Sequence, residues 1–141
     1  MFNTRSLLVT NILEKDYGEP VGILFLASYL RNEGFIVDIF DPQINGDMEL
    51  VGLEHKCKEY PYDFVGISVL TSADNSIDVV TRMSKVIRAE NPNAVIGCGG
   101  VGASLRYEEF VGSMSNNVGD KYMVGVVLGL HWIFFYLQEF E

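Results

Sequence analysis

The chain has 141 residues, enough for one domain with a sizeable core and too few for two. Apolar residues make up 48% and charged residues 21%, ordinary globular usage that excludes a disordered chain. Ten Lys plus Arg against nineteen Asp plus Glu give a net charge of −9, which excludes a phosphate-driven nucleic-acid binder, because such proteins carry a basic footprint.

In chain order, Ser6 to Ile12 is apolar and β-branched enough for a first strand. Pro20 suits the first turn of a helix that runs from Val21 to Glu33 and stops at Gly34. That helix is apolar on nearly every side (Ile23, Leu24, Phe25, Leu26, Ala27, Tyr29, Leu30), which predicts burial against a sheet. Phe35 to Asp41 reads as a second strand, closed by Pro42, and a weaker helical pattern with Met48, Leu50, Val51 and Leu53 follows from about 47 to 58.

Asp63 to Leu70 is a third strand, apolar enough to be covered on both faces. Ser72 or Asp74 is expected to cap a helix that reaches Glu90 and ends before Pro92. Ala94 to Cys98 forms a fourth strand running into Gly99-Gly100. A short helix is expected from Tyr107 to Val111, a fifth strand from Tyr122 to Val127 and a last helix from Leu130 to Phe140. No repeat or linker interrupts the pattern, so residues 1–141 read as one domain. Strands alternating with helices at this spacing predict an α/β fold, a parallel sheet covered on both faces.

Cys57 and Cys98 are too few for a disulfide framework, and no second ligand cluster makes a zinc or iron–sulfur site, so both read as buried thiols in a reducing cytoplasm. The N-terminus has no apolar stretch after a basic start, so no signal peptide is expected. From Tyr122 to Leu137 no residue carries a formal charge if His131 is neutral, but a spanning helix needs roughly 20 apolar residues, so a membrane span is not expected.

In open parallel sheets the ligand sits beyond the carboxyl ends of the strands, which here directs attention to residues 11–19, 41–46, 68–75, 98–104 and 127–131. These segments favour close backbone approach by a large ligand over acid–base chemistry. A phosphoacceptor domain would need acidic residues where Thr10-Asn11 and Ser68-Val69 stand. A flavodoxin-type phosphate loop would need hydroxyls where Asn11 to Tyr17 has few. Gly97, Gly99 and Gly102 form a G-x-G-x-x-G, yet it follows the fourth strand instead of the first and lacks the acidic strand end of a dinucleotide site.

A stronger pattern joins Ser68-Val69-Leu70 at the end of the third strand to Gly99-Gly100 at the end of the fourth. It resembles the S-x-L and G-G motifs of cobalamin-binding domains. Pro20-Val21-Gly22-Ile23-Leu24, Ala27, Tyr29-Leu30, Gly34, Val37-Asp38-Ile39 and Asp41 extend the likeness to the N-terminal domain of cobalamin-dependent radical S-adenosylmethionine enzymes. So do Asp63 to Ser68 and Gly99-Gly100-Val101-Gly102-Ala103-Ser104. The resemblance implies a flavodoxin-like three-layer sandwich with strand order 2-1-3-4-5. It also implies cobalamin as cofactor, bound with its nucleotide tail extended between strand ends. On this reading Gly99 and Gly100 leave room for the tail, the hydroxyls of Ser68, Thr71 and Ser104 hydrogen-bond it, and Leu70, Val101 and Gly129 complete the site.

The methyltransferase and mutase branch of these domains carries D-x-H-x-x-G after the first strand, with the His on cobalt. Here that loop has Asp16-Tyr17-Gly18 and no His, while His55 and His131 lie elsewhere, so no protein imidazole is expected on cobalt. Residues 127–131 keep Gly129 but lack the acidic residues usual in the radical-enzyme branch, and no C-x-x-x-C-x-x-C is present. The expectation is a corrinoid-binding module without catalysis of its own, presenting the cofactor to a radical S-adenosylmethionine or methyltransferase partner. The alternative is a cofactor-free interaction domain that dimerises through Trp132, Phe134, Phe135, Tyr136 and Phe140.

Overall fold

The computed structural model describes residues 3–13, 18–69, 75–119 and 121–125. Strands β1 (Arg5–Thr10), β2 (Ile36–Phe40), β3 (Phe64–Ser68), β4 (Val95–Gly99) and β5 (Tyr122–Val124) are connected through helices α1 (Val21–Asn32), α2 (Val51–Glu59), α3 (Ser76–Glu90), α4 (Val101–Leu105) and α5 (Tyr107–Val118). Every pairing is parallel and the order is β2-β1-β3-β4-β5, the flavodoxin-like arrangement expected from the sequence.

Alternation along each strand sorts side chains to two faces. Leu7, Val9, Val65, Ile67 and Ile96 meet α2, α3 and α5 on one face, where Leu53, Met83 and Phe110 are fully buried. Leu8, Phe64 and Val95 meet Ile23, Ala27 and Leu30 of α1 on the other. The central strand β3 is covered on both faces, which is why Phe64-Val65-Gly66-Ile67 has no polar member.

Two expectations about helices need correction. The burial expected for α1 is confined to the stripe Ile23, Ala27 and Leu30, while Val21 and Phe25 remain 65% and 66% exposed. A helix lying on a sheet buries one stripe only, and Leu24, Phe25 and Tyr29 point away from it. The short helix expected after β4 is instead α4 followed by α5, which continues to Val118. Gly112, Ser113, Ser115, Asn116 and Asn117 disguise it by their low helix propensity, but Phe110, Met114 and Val118 recur every four residues as its buried face.

Strands β1 to β4 end within two residues of expectation, β3 at Ser68 and β4 at Gly99, whereas β5 ends at Val124, before Gly125. Helix α3 starts at Ser76, and Asn75 before it makes no side-chain cap bond. The expected caps Ser72 and Asp74 lie outside the described residues, as do residues 126 and 127 and the expected helix from Leu130 to Phe140.

Polar side chains lock the amino edge of the sheet. Asn91, 4% exposed at the end of α3, accepts the N–H of Tyr62 through Oδ1 (2.5 Å) and donates from Nδ2 to the carbonyl of Cys57 (2.8 Å). It thereby joins the last turns of α2 and α3 to the start of β3. Nearby, Asp38 Oδ2 accepts from Arg5 Nε (2.9 Å) and from the Tyr62 hydroxyl (2.8 Å), while the Arg5 guanidinium stacks 3.4 Å above the Tyr60 ring.

Burial raises the Asp38 carboxyl, but the hydrogen bonds from Arg5 and Tyr62 outweigh it and hold Asp38 below the ordinary carboxylate range. A depressed native value means that the unfolded chain binds the proton more readily. The stability Asp38 contributes is therefore complete above its unfolded value of about 3.9 and is lost as pH falls through the native one. Asp38→Asn is expected to flatten the acid limb of the urea midpoint below about pH 4 while leaving its shape near neutrality unchanged. An acid limb as steep as that of the parent protein would show that Asp38 is not its source.

Candidate functional site

The register places Thr10, Ser68 and Gly99 side by side across β1, β3 and β4 at the carboxyl edge of the sheet. By alternation this row lies on the α1 face. The next row inward is Leu8, Gly66, Gly97 and Met123. Two glycines at alternate positions of β4, Gly97 and Gly99, thus leave a strip of that face without side chains, and both are buried. Over Gly66 the space is taken by the Phe64 ring, whose Cε1 lies 3.0 Å from where a Cβ would stand. The strip free of side chains therefore runs along β4, beside Ser68.

Backbone bonds hold the ends of β3 and β4 together. The N–H of Val69 donates to Gly99 (2.7 Å), that of Gly102 to Val69 (3.1 Å), and that of Asn11 to Ser68 (3.0 Å). The chain turns between β4 and α4 at Gly100, with φ 112° and ψ −178°. A Cβ there would stand 2.5 Å from the carbonyl oxygen of Val69, so Gly100 is required by the turn itself. The Gly102 N–H is spent on Val69, so that N–H of the G-x-G-x-x-G is not free for a phosphate.

Of the expected site residues, the fold brings Ser68, Gly99, Gly100, Val101 and Ser104 to one edge, at the junction of β3, β4 and α4. The Ser68 hydroxyl is partly exposed and has no partner among the described residues. Ser104 Oγ donates to the carbonyl of Gly100 (2.9 Å) within its own helical turn. Val101 and Leu105 project outward, 52% and 69% exposed. Leu70, Thr71 and Gly129 lie outside the described residues.

Gly66 was not singled out from the sequence, and Gly97 only as part of the G-x-G-x-x-G. Their pairing in adjacent strands is a fact of register, which a single sequence does not display. Thr10 and Asp41 are a further pair at this edge; sequence reasoning placed residues 41–46 among the candidate segments but named neither residue as a ligand contact.

Among the described residues no group of His, Cys, Asp and Glu is placed to hold a metal ion. His55 is exposed on α2, which packs on the opposite face. Burial pushes the Cys98 thiol up to about 12, and burial with the nearby Glu90 charge does the same for Cys57, so both stay neutral thiols as expected. Among the described residues no helix is long and apolar enough to cross a membrane.

Comparison with known proteins adds three findings. Residues 9–125 match the family model described as the B12 binding domain. The structure superposes with a TM-score of 0.64 on the radical S-adenosylmethionine methyltransferase TsrM from Kitasatospora setae, solved with cobalamin and a [4Fe-4S] cluster bound. The identity is 22%, over 74% of this chain and 19% of that one. It superposes with a TM-score of 0.65 on a cobalamin-binding protein from Desulfitobacterium hafniense DCB-2, at 15% identity over 99% of this chain and 59% of that one. The chain thus spans about a fifth of TsrM and somewhat over half of the Desulfitobacterium protein. No curated protein is matched by sequence.

Proposed function

Since the chain belongs to the B12 binding domain family, with cobalamin as its cofactor, we propose that it binds cobalamin with the nucleotide tail extended along β4 and presents the corrin at the carboxyl edge to a partner. The observation that carries this reading is the register pair Ser68 and Gly99, a hydroxyl without a described partner beside a buried strip free of side chains. The residues fit the group. A tail of base, ribose and phosphodiester lies best where side chains are few and neutral hydrogen-bonding groups are near, and Gly97, Gly99 and Ser68 offer that combination.

Ser68 would hold the tail by its hydroxyl, Gly97 and Gly99 would let it lie against the strand, and Gly100 sets the turn that keeps Val101 and Ser104 at its mouth. Leu70, Thr71 and Gly129 are assigned to the same pocket from the sequence. Bound cobalamin supplies cobalt-centred group transfer. The chain's own part is to bind and orient the cofactor, without catalysing a reaction alone.

No protein imidazole reaches cobalt on this reading. Residues 11–19 contain no His, and His55 sits on the helix layer across the sheet from Ser68. A radical S-adenosylmethionine or methyltransferase protein is the proposed partner. Its docking is favoured by the exposed apolar side chains around the carboxyl edge, Val21 and Phe25 at the start of α1 and Val101 and Leu105 on α4. The dimer suggested by the aromatic C-terminal residues rests on a segment outside the described residues.

Titration with hydroxocobalamin, followed by its visible spectrum, tests the reading. Saturable binding at one equivalent is expected, with His55→Ala leaving the bound spectrum unchanged. Ser68→Ala is expected to weaken affinity by about threefold to tenfold, the worth of one neutral hydrogen bond. Absence of binding by the parent protein would refute the function, and parent-like affinity in Ser68→Ala would remove Ser68 from the site.

A further inference from the structure

The row at the carboxyl edge continues past Ser68. Thr10 pairs with Ser68 in register, and its Oγ1 donates to Asp41 Oδ1 (3.2 Å) just beyond the end of β2. The same oxygen accepts the backbone N–H of Gln43 (3.1 Å) and the Gln43 side-chain amide from Nε2 (3.0 Å). Three donors on one oxygen fix the plane of a half-buried carboxylate. Its other oxygen, Oδ2, has no partner among the described residues.

Gln43 is only 4% exposed, and its Oε1 is buried with no partner. The amide cannot turn over to remedy this. Asp41 Oδ1 accepts and never donates, so the nitrogen must stay against it and the oxygen must stay where it is. A buried acceptor without a donor is costly, and natural proteins retain few. The cluster therefore presents one unused acceptor, the charged Oδ2 of Asp41, held rigidly by a Gln43 side chain whose own Oε1 is sealed from solvent. It stands two strand spacings, about 10 Å, from Ser68 along the same edge.

The ligand that suits such an acceptor is rich in N–H groups and carries no negative charge at that point. We propose that Asp41 Oδ2, positioned by Gln43, receives N–H groups from the peripheral carboxamides of the corrin ring. The β1–β2 end of the edge then holds the macrocycle while the β3–β4 end holds the tail. The inference rests on the cobalamin reading and deepens it. An anionic acceptor also gives selectivity, since it favours an amidated corrinoid over one whose side chains end in carboxylates.

Two probes separate ring from tail. Cobinamide keeps the carboxamides and lacks the nucleotide tail, whereas the heptamethyl ester of cobyrinic acid has neither tail nor amide N–H. Each is titrated against the parent protein, Asp41→Asn and Gln43→Met, with thermal midpoints recorded alongside. Asp41→Asn keeps a carbonyl oxygen for Thr10 and Gln43 but puts an NH2 in place of Oδ2. It is expected to weaken cobinamide binding by about tenfold or more, as for a charged hydrogen bond, and to leave the ester unaffected. Gln43→Met is expected to lower cobinamide affinity by a smaller factor, again with no change for the ester.

Equal losses for both probes, or parent-like cobinamide affinity in both folded variants, would overturn the proposal. If the parent protein binds neither cobalamin nor cobinamide, the cofactor reading fails and takes this inference with it. If cobalamin binds and only the variants' discrimination between probes is missing, this inference fails alone.

Discussion

Replacing Gly100 by Val is expected to destabilise the protein by about 3 kcal/mol or more and to lower its melting temperature by roughly 10 °C. The backbone at Gly100, φ 112° and ψ −178°, lies in a region open essentially to glycine alone. A Cβ would also stand 2.5 Å from the carbonyl oxygen of Val69, which cannot retreat, because it accepts the N–H of Gly102 (3.1 Å) while the Val69 N–H is held by Gly99 (2.7 Å). The loss follows from the turn and precedes any effect on a ligand, so reduced cobalamin binding by this variant would not mark the path of the tail. Ser68→Ala is the variant that does. Gly112 is the matched control: it is exposed in the middle of α5, with nothing within 4 Å of its Cβ position. Gly112→Ala is expected to raise stability by about 0.5–1 kcal/mol. Equal thermal midpoints for Gly100→Val and the parent would show that the turn tolerates a side chain.

Asn91→Ala is expected to cost about 3 kcal/mol, read as a lower urea midpoint at unchanged slope. The substitution strips partners from two backbone groups, the N–H of Tyr62 and the carbonyl of Cys57, in a site where Asn91 is only 4% exposed. Asn91→Asp tells the two bonds apart. The carboxylate still accepts from Tyr62 but faces the Cys57 carbonyl with an acceptor, so it is expected to be as damaging as Ala at neutral pH and to recover partly in acid, when it regains a proton to donate. A loss below about 1 kcal/mol in Asn91→Ala would mean that the two groups find other partners.

The alternation of strands and helices was legible because each element carries its own signal: β-branched runs such as Phe64 to Ile67, and stops such as Gly34 and Pro92. Strand order entered through the resemblance of Ser68 and Gly99-Gly100 to known cobalamin motifs, and the parallel register bears it out. The outward face of α1 was not legible. Its composition says apolar, and only the placement of the sheet tells which stripe is covered. The full length of α5 was hidden for the opposite reason, since polar residues of low propensity are held helical by the buried Phe110, Met114 and Val118. In the site, chain-local features such as the glycine turn could be read, whereas Gly97 beside Gly66, or Thr10 on Asp41, joins residues about thirty positions apart through register alone.

The locks formed by Asn91 and by Arg5, Asp38 and Tyr62 stand at the amino edge, while Ser68, Gly99 and Asp41 stand at the carboxyl edge. Sites that share no partner contribute additively to stability. A cofactor that binds the folded chain alone adds RT ln(1 + [L]/Kd), about 2.7 kcal/mol at a hundredfold excess over its dissociation constant. That increment is close to what the loss of Asn91 removes. Abundance of this protein should then follow corrinoid supply by mass action. A variant weakened at the amino edge would be depleted when the cofactor is scarce and restored when it is plentiful, with its affinity for the cofactor unchanged throughout.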